Sequence, residues 1–282
     1  MTLAQKIIKY LAIAFAFFLI ITIISTMLSV LYALSNVLGL KNENEVSIGD
    51  TLKTNFENSD INELKIEMFY AHLTLKKGDT FKVETTQMGD SLAIDADNSN
   101  VNFNKDGQKL EIKEKKRNWF SNNNEEIIIY IPENMEFQKI DISGGAGKIN
   151  IENLNVQKLE FELGAGEAKI ENLNVSKNCN LENGAGKISI LSGTINDLDL
   201  DMGIGKIEIF ASLIGKNNID AGVGNLNLNL IGNKEDYKIK VDKGIGNIKV
   251  NSERLSNNQL YGNGKNYIDI DGGIGNINVE FE

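Results

Sequence analysis

The stretch GGAGK, residues 144–148, sets two glycines around one residue and then a lysine, an arrangement that could cradle a phosphate. A P-loop needs G-x-x-x-x-G-K followed by Ser or Thr, because that hydroxyl must reach the metal. Here Ile149 follows Lys148, and Ile142 stands where the first glycine would be. A dinucleotide fingerprint needs a third glycine opening a helix, but the residues after Lys148 alternate with period two. Cys179 and His72 are the only cysteine and histidine. No disulfide can form within one chain, and no Cys/His metal cluster can be assembled. A Ser-His-Asp or Cys-His site would have to be built on His72, which lies in a strand-like run beside Leu73 and Leu75 with no histidine partner. It reads as a satisfied or surface histidine, and Cys179, with the parity of a core residue, as a small buried hydrophobe.

Two other groups could do chemistry. The outward acids Glu160, Glu162, Asp199, Asp201 and Glu208 lie between core positions, and nothing marks two of them as a glycosidase pair. In KEKKRNWFSNNNEE, residues 113–126, Lys115, Lys116 and Arg117 adjoin Trp119 and Phe120. That combination could sit at a lipid headgroup surface or grip an anionic envelope polymer. The preferred alternative is a hairpin loop with solvated charges, its aromatics capping one end of the fold. No cofactor, no metal and no enzymatic activity is expected.

Residues positioned this way need a scaffold, and the glycine pair supplies its signature. G-x-G recurs seven times: Gly145 and Gly147, Gly164 and Gly166, Gly184 and Gly186, Gly203 and Gly205, Gly222 and Gly224, Gly244 and Gly246, Gly273 and Gly275. The intervals are 19, 20, 19, 19, 22 and 29 residues. A phosphate loop occurs once per site, so copies at a near-constant step describe architecture, and these are read as structural corner glycines. Apolar residues alternate on both sides of each pair and change parity across it: Leu198, Leu200 and Met202 are even, Ile207 and Ile209 odd. A strand keeps its apolar face inward across a one-residue slip only if the chain bulges or turns there. Glycine permits the positive φ or close approach such a corner demands. The residue between the glycines keeps the incoming parity and is expected in the core.

One repeat is therefore strand, glycine corner, strand and turn, and it buries its apolar edge only by stacking on neighbours. The fold expected is all-β, a parallel β-solenoid of roughly 20-residue G-x-G repeats. Asn153 and Asn172, matched in the repeat, should form an asparagine ladder, and Glu167 should fall between Lys148 and Lys187. A calcium β-roll is excluded, because Ile149 and Ile277 occupy its aspartate position and a hard cation needs oxygen ligands.

The chain of 282 residues divides into three. Between Tyr10 and Leu40 there is no charged residue, long enough for a bilayer-crossing helix of about 20 residues. A cleavable signal peptide is the rival, but its apolar region runs to about 7–15 residues, and neither a small-x-small cleavage site nor a lipobox cysteine follows. Residues 1–40 are thus expected to be a cytoplasmic stub and single transmembrane anchor, 41–60 a juxtamembrane linker, and 61–282 the solenoid. Lys6 and Lys9 before the span place the N-terminus in the cytoplasm and the solenoid outside. The net charge of −10 argues against nucleic acid as a partner.

The repeats, with LKIEMFYAHLTLKKGDTFKVE from Leu64 and IIIYIPENMEFQKIDISGGAG from Ile127, resemble the "putative adhesin" domains of unknown function in bacterial surface proteins. Among these is the membrane-anchored protein of the Lia envelope-stress operon. The resemblance covers most of residues 60–282 and implies a surface-exposed, non-enzymatic module that binds envelope polymer or a surface protein. Residues 251–266 interrupt the last interval and are expected to loop out. The alternative role is a self-assembling scaffold or envelope-stress component docking to a membrane partner, since the chain ends on what reads as an exposed terminal rung.

Overall fold

Over residues 61–282 the apolar residues alternate with period two, a pattern that favours the extended strand. The computed structural model describes residues 51–55, 61–70, 72–87, 101–115, 125–242, 244–254, 256–257 and 259–282. They are all-β apart from one 3-10 turn at Lys234–Asp236. The strands are β1 (Thr51–Asn55), β2 (Glu63–Met68), β3 (His72–Gly78), β4 (Lys82–Gln87), β5 (Val101–Asp106) and β6 (Lys109–Glu114). Next come β7 (Glu125–Pro132), β8 (Phe137–Ile190), β9 (Gly193–Asn196), β10 (Leu198–Ile214) and β11 (Lys216–Leu230). The last six are β12 (Tyr237–Asp242), β13 (Ile245–Val250), β14 (Glu253–Arg254), β15 (Gln259–Gly262), β16 (Asn266–Asp271) and β17 (Ile274–Phe281). The anchor expected over residues 1–40 lies outside the described residues; among those described, no helix is long and apolar enough to cross a membrane. β1 falls within the span read as linker, yet it pairs antiparallel with β4 and belongs to the sheet.

The rungs stack in parallel and in register at the step of the repeat. β10 lies on β8 with Leu200 opposite Leu181, Gly205 opposite Gly186 and Ile207 opposite Ile188. β11 lies on β10 in the same way, with Ile219 opposite Leu200 and Gly224 opposite Gly205. The inward residues, among them Leu200, Ile207, Ile209, Ile219, Leu226 and Leu228, form one continuous buried core.

The corners need glycine on two counts. Gly166, Gly205 and Gly224 have φ of 147°, 141° and 139°, where L side chains are strained. A Cβ on Gly224 would also lie 1.9 Å from the carbonyl oxygen of Gly205, and one on Gly205 equally close to that of Gly186. Lower in the stack, a Cβ on Gly166 would lie 2.1 Å from the carbonyl oxygen of Gly147. The first glycines are excluded from carrying a side chain by the same stacking: a Cβ on Gly203 would meet the Gly184 oxygen at 2.1 Å, and one on Gly164 the Gly145 oxygen at 2.6 Å. Where the stack reaches β2 and β3, the corner is instead Phe69–Tyr70, whose N–H groups donate to the buried Glu114 carboxylate at 2.6 and 2.9 Å.

Four expectations are corrected. First, a repeat of strand, glycine corner, strand and turn is not divided at its corners, for Gly147, Gly166 and Gly186 interrupt nothing. All three lie inside β8, which continues for 54 residues through their corners. The chain changes direction there while its ladder to the neighbouring rungs persists, because a glycine can take the positive φ without giving up its N–H or C=O. Second, the residue between the glycines is not core: Ala146, Ala165, Ala185 and Ile245 are exposed, and Ile204, Val223 and Ile274 half-buried. The parity change is completed within the corner, so this residue points away from both flanking strands' core positions.

Third, spatial order departs from chain order at the C-terminal end. β16 and β17 lie against β11 on one side and against β12 and β13 on the other. The last rung of the chain is therefore inserted, and offers no free ladder for a second copy. Fourth, the segment 251–266 does not simply loop out: β14 and β15 return antiparallel along β13 and β12, the outermost rung.

The other end is built on the same plan. β2 and β3 lie between β8 and the later rung of β6 and β7, and antiparallel β5 and β4 cover that outer rung. A buried polar tie secures the inserted C-terminal rung: Leu198 N–H donates to Asn217 Oδ1 at 3.1 Å, and Asn217 Nδ2 donates to the Tyr267 carbonyl at 3.1 Å. Asn183 is less well provided for. It is buried at the place that Met202 holds on the next rung, and neither its amide nitrogen nor its oxygen has a partner.

Two substitutions follow. Gly224→Ala should destabilise by about 3 kcal/mol or more, from backbone strain plus overlap with a carbonyl that cannot swing away. Asn183→Leu should stabilise by about 1–3 kcal/mol, by removing an unpaired buried amide from an apolar column. Chemical denaturation of the full chain measures both, and an Asn183→Leu protein less stable than the parent would contradict the second.

Candidate functional site

In-register stacking turns each outward position of the repeat into a column, and the columns beside the glycine corners are chemically sorted. Two residues before the first glycine, Glu182, Asp201, Asp220, Asp271 and Asp242 face one another rung by rung. Glu162 holds the same place before Gly164. In the next column outward, Asn180, Asp199, Asn218, Asp269 and Lys240 are aligned, and Lys240 pairs with Asp269 at 3.1 Å. At the ~4.8 Å spacing of neighbouring strands, carboxylates stacked on carboxylates repel. Desolvation by the neighbouring rungs holds the Asp220 carboxyl above the usual range, helped by the charges of Asp271, Asp201, Asp199 and Asp269.

The corner itself presents a low apolar ridge that grows from Ala146, Ala165 and Ala185 to Ile204, Val223, Ile274 and Ile245, the last of these 44% exposed. Beyond it the chemistry changes. Lys187 and Lys206 are followed in one column by Asn225, Asn276 and Asn247. The next column runs Ser189, Glu208, Asn227, Asn278 and Lys249. The amides form ladders: Asn276 Nδ2 donates to Asn225 Oδ1, and Asn278 Nδ2 to Asn227 Oδ1, both at 3.1 Å. Lys206, Asn225, Asn227, Asn247, Asn276 and Asn278 line a shallow groove of about 410 Å³, completed by Lys249 and Arg254.

The expected pairings on the rest of the surface are present. Asn172 Nδ2 donates to Asn153 Oδ1 at 2.6 Å, and Glu167 lies 3.8 Å from Lys148 and 3.9 Å from Lys187. Cys179 is fully buried, and burial pushes its thiol well above the ordinary range, which leaves it unreactive. His72 Nδ1 accepts from the Lys148 N–H at 3.1 Å, a structural duty. Of the basic and aromatic cluster, Lys115 is half-buried at the end of β6, while Lys116, Arg117, Trp119 and Phe120 lie outside the described residues.

Neither the acidic column nor the amide groove was singled out from the sequence, although the first was legible there. An acid stands two places before the first glycine in the last six of the seven repeats. The groove carried no such signal, because Arg254 belongs to the segment expected to loop out and the 273 rung is displaced from its chain order.

A stack of parallel, glycine-cornered rungs with sorted outer columns is an all-β repeat scaffold. The chain belongs to the Toastrack DUF4097 family, whose model matches residues 61–280. No curated protein matches it. Among solved structures it is similar to a "putative cell adhesion protein" from Clostridium sporogenes, at 17% identity and a TM-score of 0.40 over 83% of this chain and 99% of that one. It is also similar to a "putative adhesin" from Bacteroides fragilis, at 13% identity and a TM-score of 0.46 over 81% and 96%. A "putative lipid binding protein" from Parabacteroides distasonis, at 17% identity and a TM-score of 0.33, covers 81% and 97%.

The acidic column gives a pH prediction with a definite sign. The folded state raises the pKa of Asp220, so its ionised form is disfavoured by folding. That penalty is absent below the unfolded pKa and is complete once pH rises through the folded one. Asp220→Asn should therefore raise the melting temperature at about pH 7, and the gain should vanish toward about pH 3. Thermal unfolding of both proteins across this range checks it; an equal gain at every pH would assign the effect to something other than charge.

Proposed function

We propose that this protein is a non-enzymatic, adhesin-like binding module of the cell envelope, held to the membrane by residues 1–40 with its β-stack outside. The observation that carries the reading is the repetition of one outward chemistry on successive rungs in register. Equivalent groups at constant spacing act alike and suit a long ligand of repeating units, whereas turnover needs one differentiated set of acid, base and nucleophile. The uncharged stretch ahead of residue 41 supplies the anchor. The rigidity of stacked backbone suits a surface that must hold its pattern against a polymer.

The scaffold alternative, with chains adding end to end, is the weaker reading here. Antiparallel strands lie along the outer rung at each end, and the C-terminal strand is already paired on both sides.

The test is topological. A C-terminal tag on the full-length chain should be lost when protease is added to intact cells or protoplasts. Protection until lysis would place the β-stack in the cytoplasm and end the envelope reading.

A further inference from the structure

The amide groove carries a more specific statement. β13 and β14 are joined by a two-residue turn, Asn251 and Ser252, both with positive φ, at 49° and 65°. Such a turn matches the twist of a tight hairpin and fixes its register. The register sets Lys249 directly opposite Arg254. Like charges opposite one another on paired strands are destabilising, and both side chains are exposed. Among the described residues neither has an ion-pair partner. The acid bordering the groove, Glu208, is already paired with other lysines: with Lys206, on the groove wall, at 2.6 Å and with Lys187 at 3.6 Å. Glu253 stands opposite Val250, on the other face of the hairpin from Arg254.

Two uncompensated cations thus border a bed of five asparagines, Asn225, Asn227, Asn247, Asn276 and Asn278. Each amide has two N–H donors and a carbonyl with two lone pairs. A ladder bond uses one donor or one lone pair at each end, so hydrogen-bonding capacity remains for a ligand. The ladders also hold the amides in place before anything binds, which lowers the entropy lost on binding. Neutral donors and acceptors in a row suit hydroxyl groups. A guanidinium fork beside an ammonium suits a phosphate or carboxylate.

We infer that the groove binds an anionic polyol chain, with Lys249 and Arg254 on its phosphate or carboxylate and the asparagine bed on its hydroxyls. This rests on the envelope-binding reading and names the ligand class for it. The chain's net charge of −10 does not forbid such a ligand. At physiological salt the field of the acidic columns decays over about 8 Å, and the apolar ridge separates them from the groove.

The test uses the full-length chain in phosphatidylcholine nanodiscs, with poly(glycerol phosphate), polygalacturonate and neutral dextran as soluble probes. Binding to either anionic polymer should exceed binding to dextran by about tenfold or more and weaken with salt. The double variant Lys249→Gln with Arg254→Gln should lose about tenfold or more, while Lys158→Gln, a lysine outside the groove, changes nothing. The responsive polymer reports whether phosphate or carboxylate is preferred. Equal binding of dextran, an undiminished double variant, or retention only by phosphatidylglycerol vesicles would overturn the inference. If the double variant still binds whole cell-wall preparations as the parent does, the groove fails and the envelope reading stands. If the parent binds none of these, both fail.

Discussion

Everything in this protein depends on backbone passing directly over backbone at the corners. A Cβ on Gly275 would lie 1.7 Å from the Gly224 oxygen, and one on Gly246 the same distance from that of Gly275. No side chain fits there, so one rung settles on the next in a single way. A one-residue slip would put a Cβ into that space and turn every core residue outward. The apolar effect holds the stack together, but the glycine column chooses the register.

That register has consequences of both signs outside the core. Asparagine over asparagine is favourable, because each amide both donates and accepts, and the ladders of Asn153 with Asn172, Asn155 with Asn174 and Asn225 with Asn276 use this. Lysine alternating with glutamate at Lys148, Glu167 and Lys187 is mildly favourable, as exposed pairs are. Aspartate over aspartate is unfavourable, and the run from Asp201 through Asp220 and Asp271 to Asp242 tolerates it rung after rung. Stability alone would have mixed these charges, as in the rungs of β2 and β8, where Lys65 faces Asp141. The register instead segregates acids, apolar ridge and amides into separate columns.

The stack also has to stop. A parallel ladder cut at any rung leaves a row of N–H and C=O groups open to another chain. Here each end inserts one rung behind another and then runs antiparallel strands along the outermost one. The insertion interlocks the ends, since β17 cannot be withdrawn without opening both the β11 and β13 ladders. At the C-terminal end the same device generates the groove, because β14 brings Arg254 beside Lys249.

Strand identity, core parity, corner positions, the Lys148–Glu167–Lys187 alternation and the ladder of Asn153 with Asn172 were all legible in the residues alone. Each follows from a period of two and a repeat of about 20, and both are properties of neighbours along the chain. The direction of Ala146 or Ile204 at the corner was not legible, because parity says that a change occurs between the glycines without saying at which bond. Nor was the continuity of β8 through Gly147 and Gly166, since a parity change looks the same whether the ladder breaks or persists. The rung order was not legible either. The repeats at Gly244 and Gly273 are equivalent in pattern, and only the packing of their flanks decides that Gly273 lies over Gly222. Residues 251–266 read as an interruption because their partners, β12 and β13, are set by that same packing. The sequence by itself determined the local chemistry of every rung. The order in which rungs meet, and hence the pairing of Lys249 with Arg254 above the asparagine bed, was decided by tertiary structure, because hydrogen-bond ladders between equivalent strands carry no label of chain order.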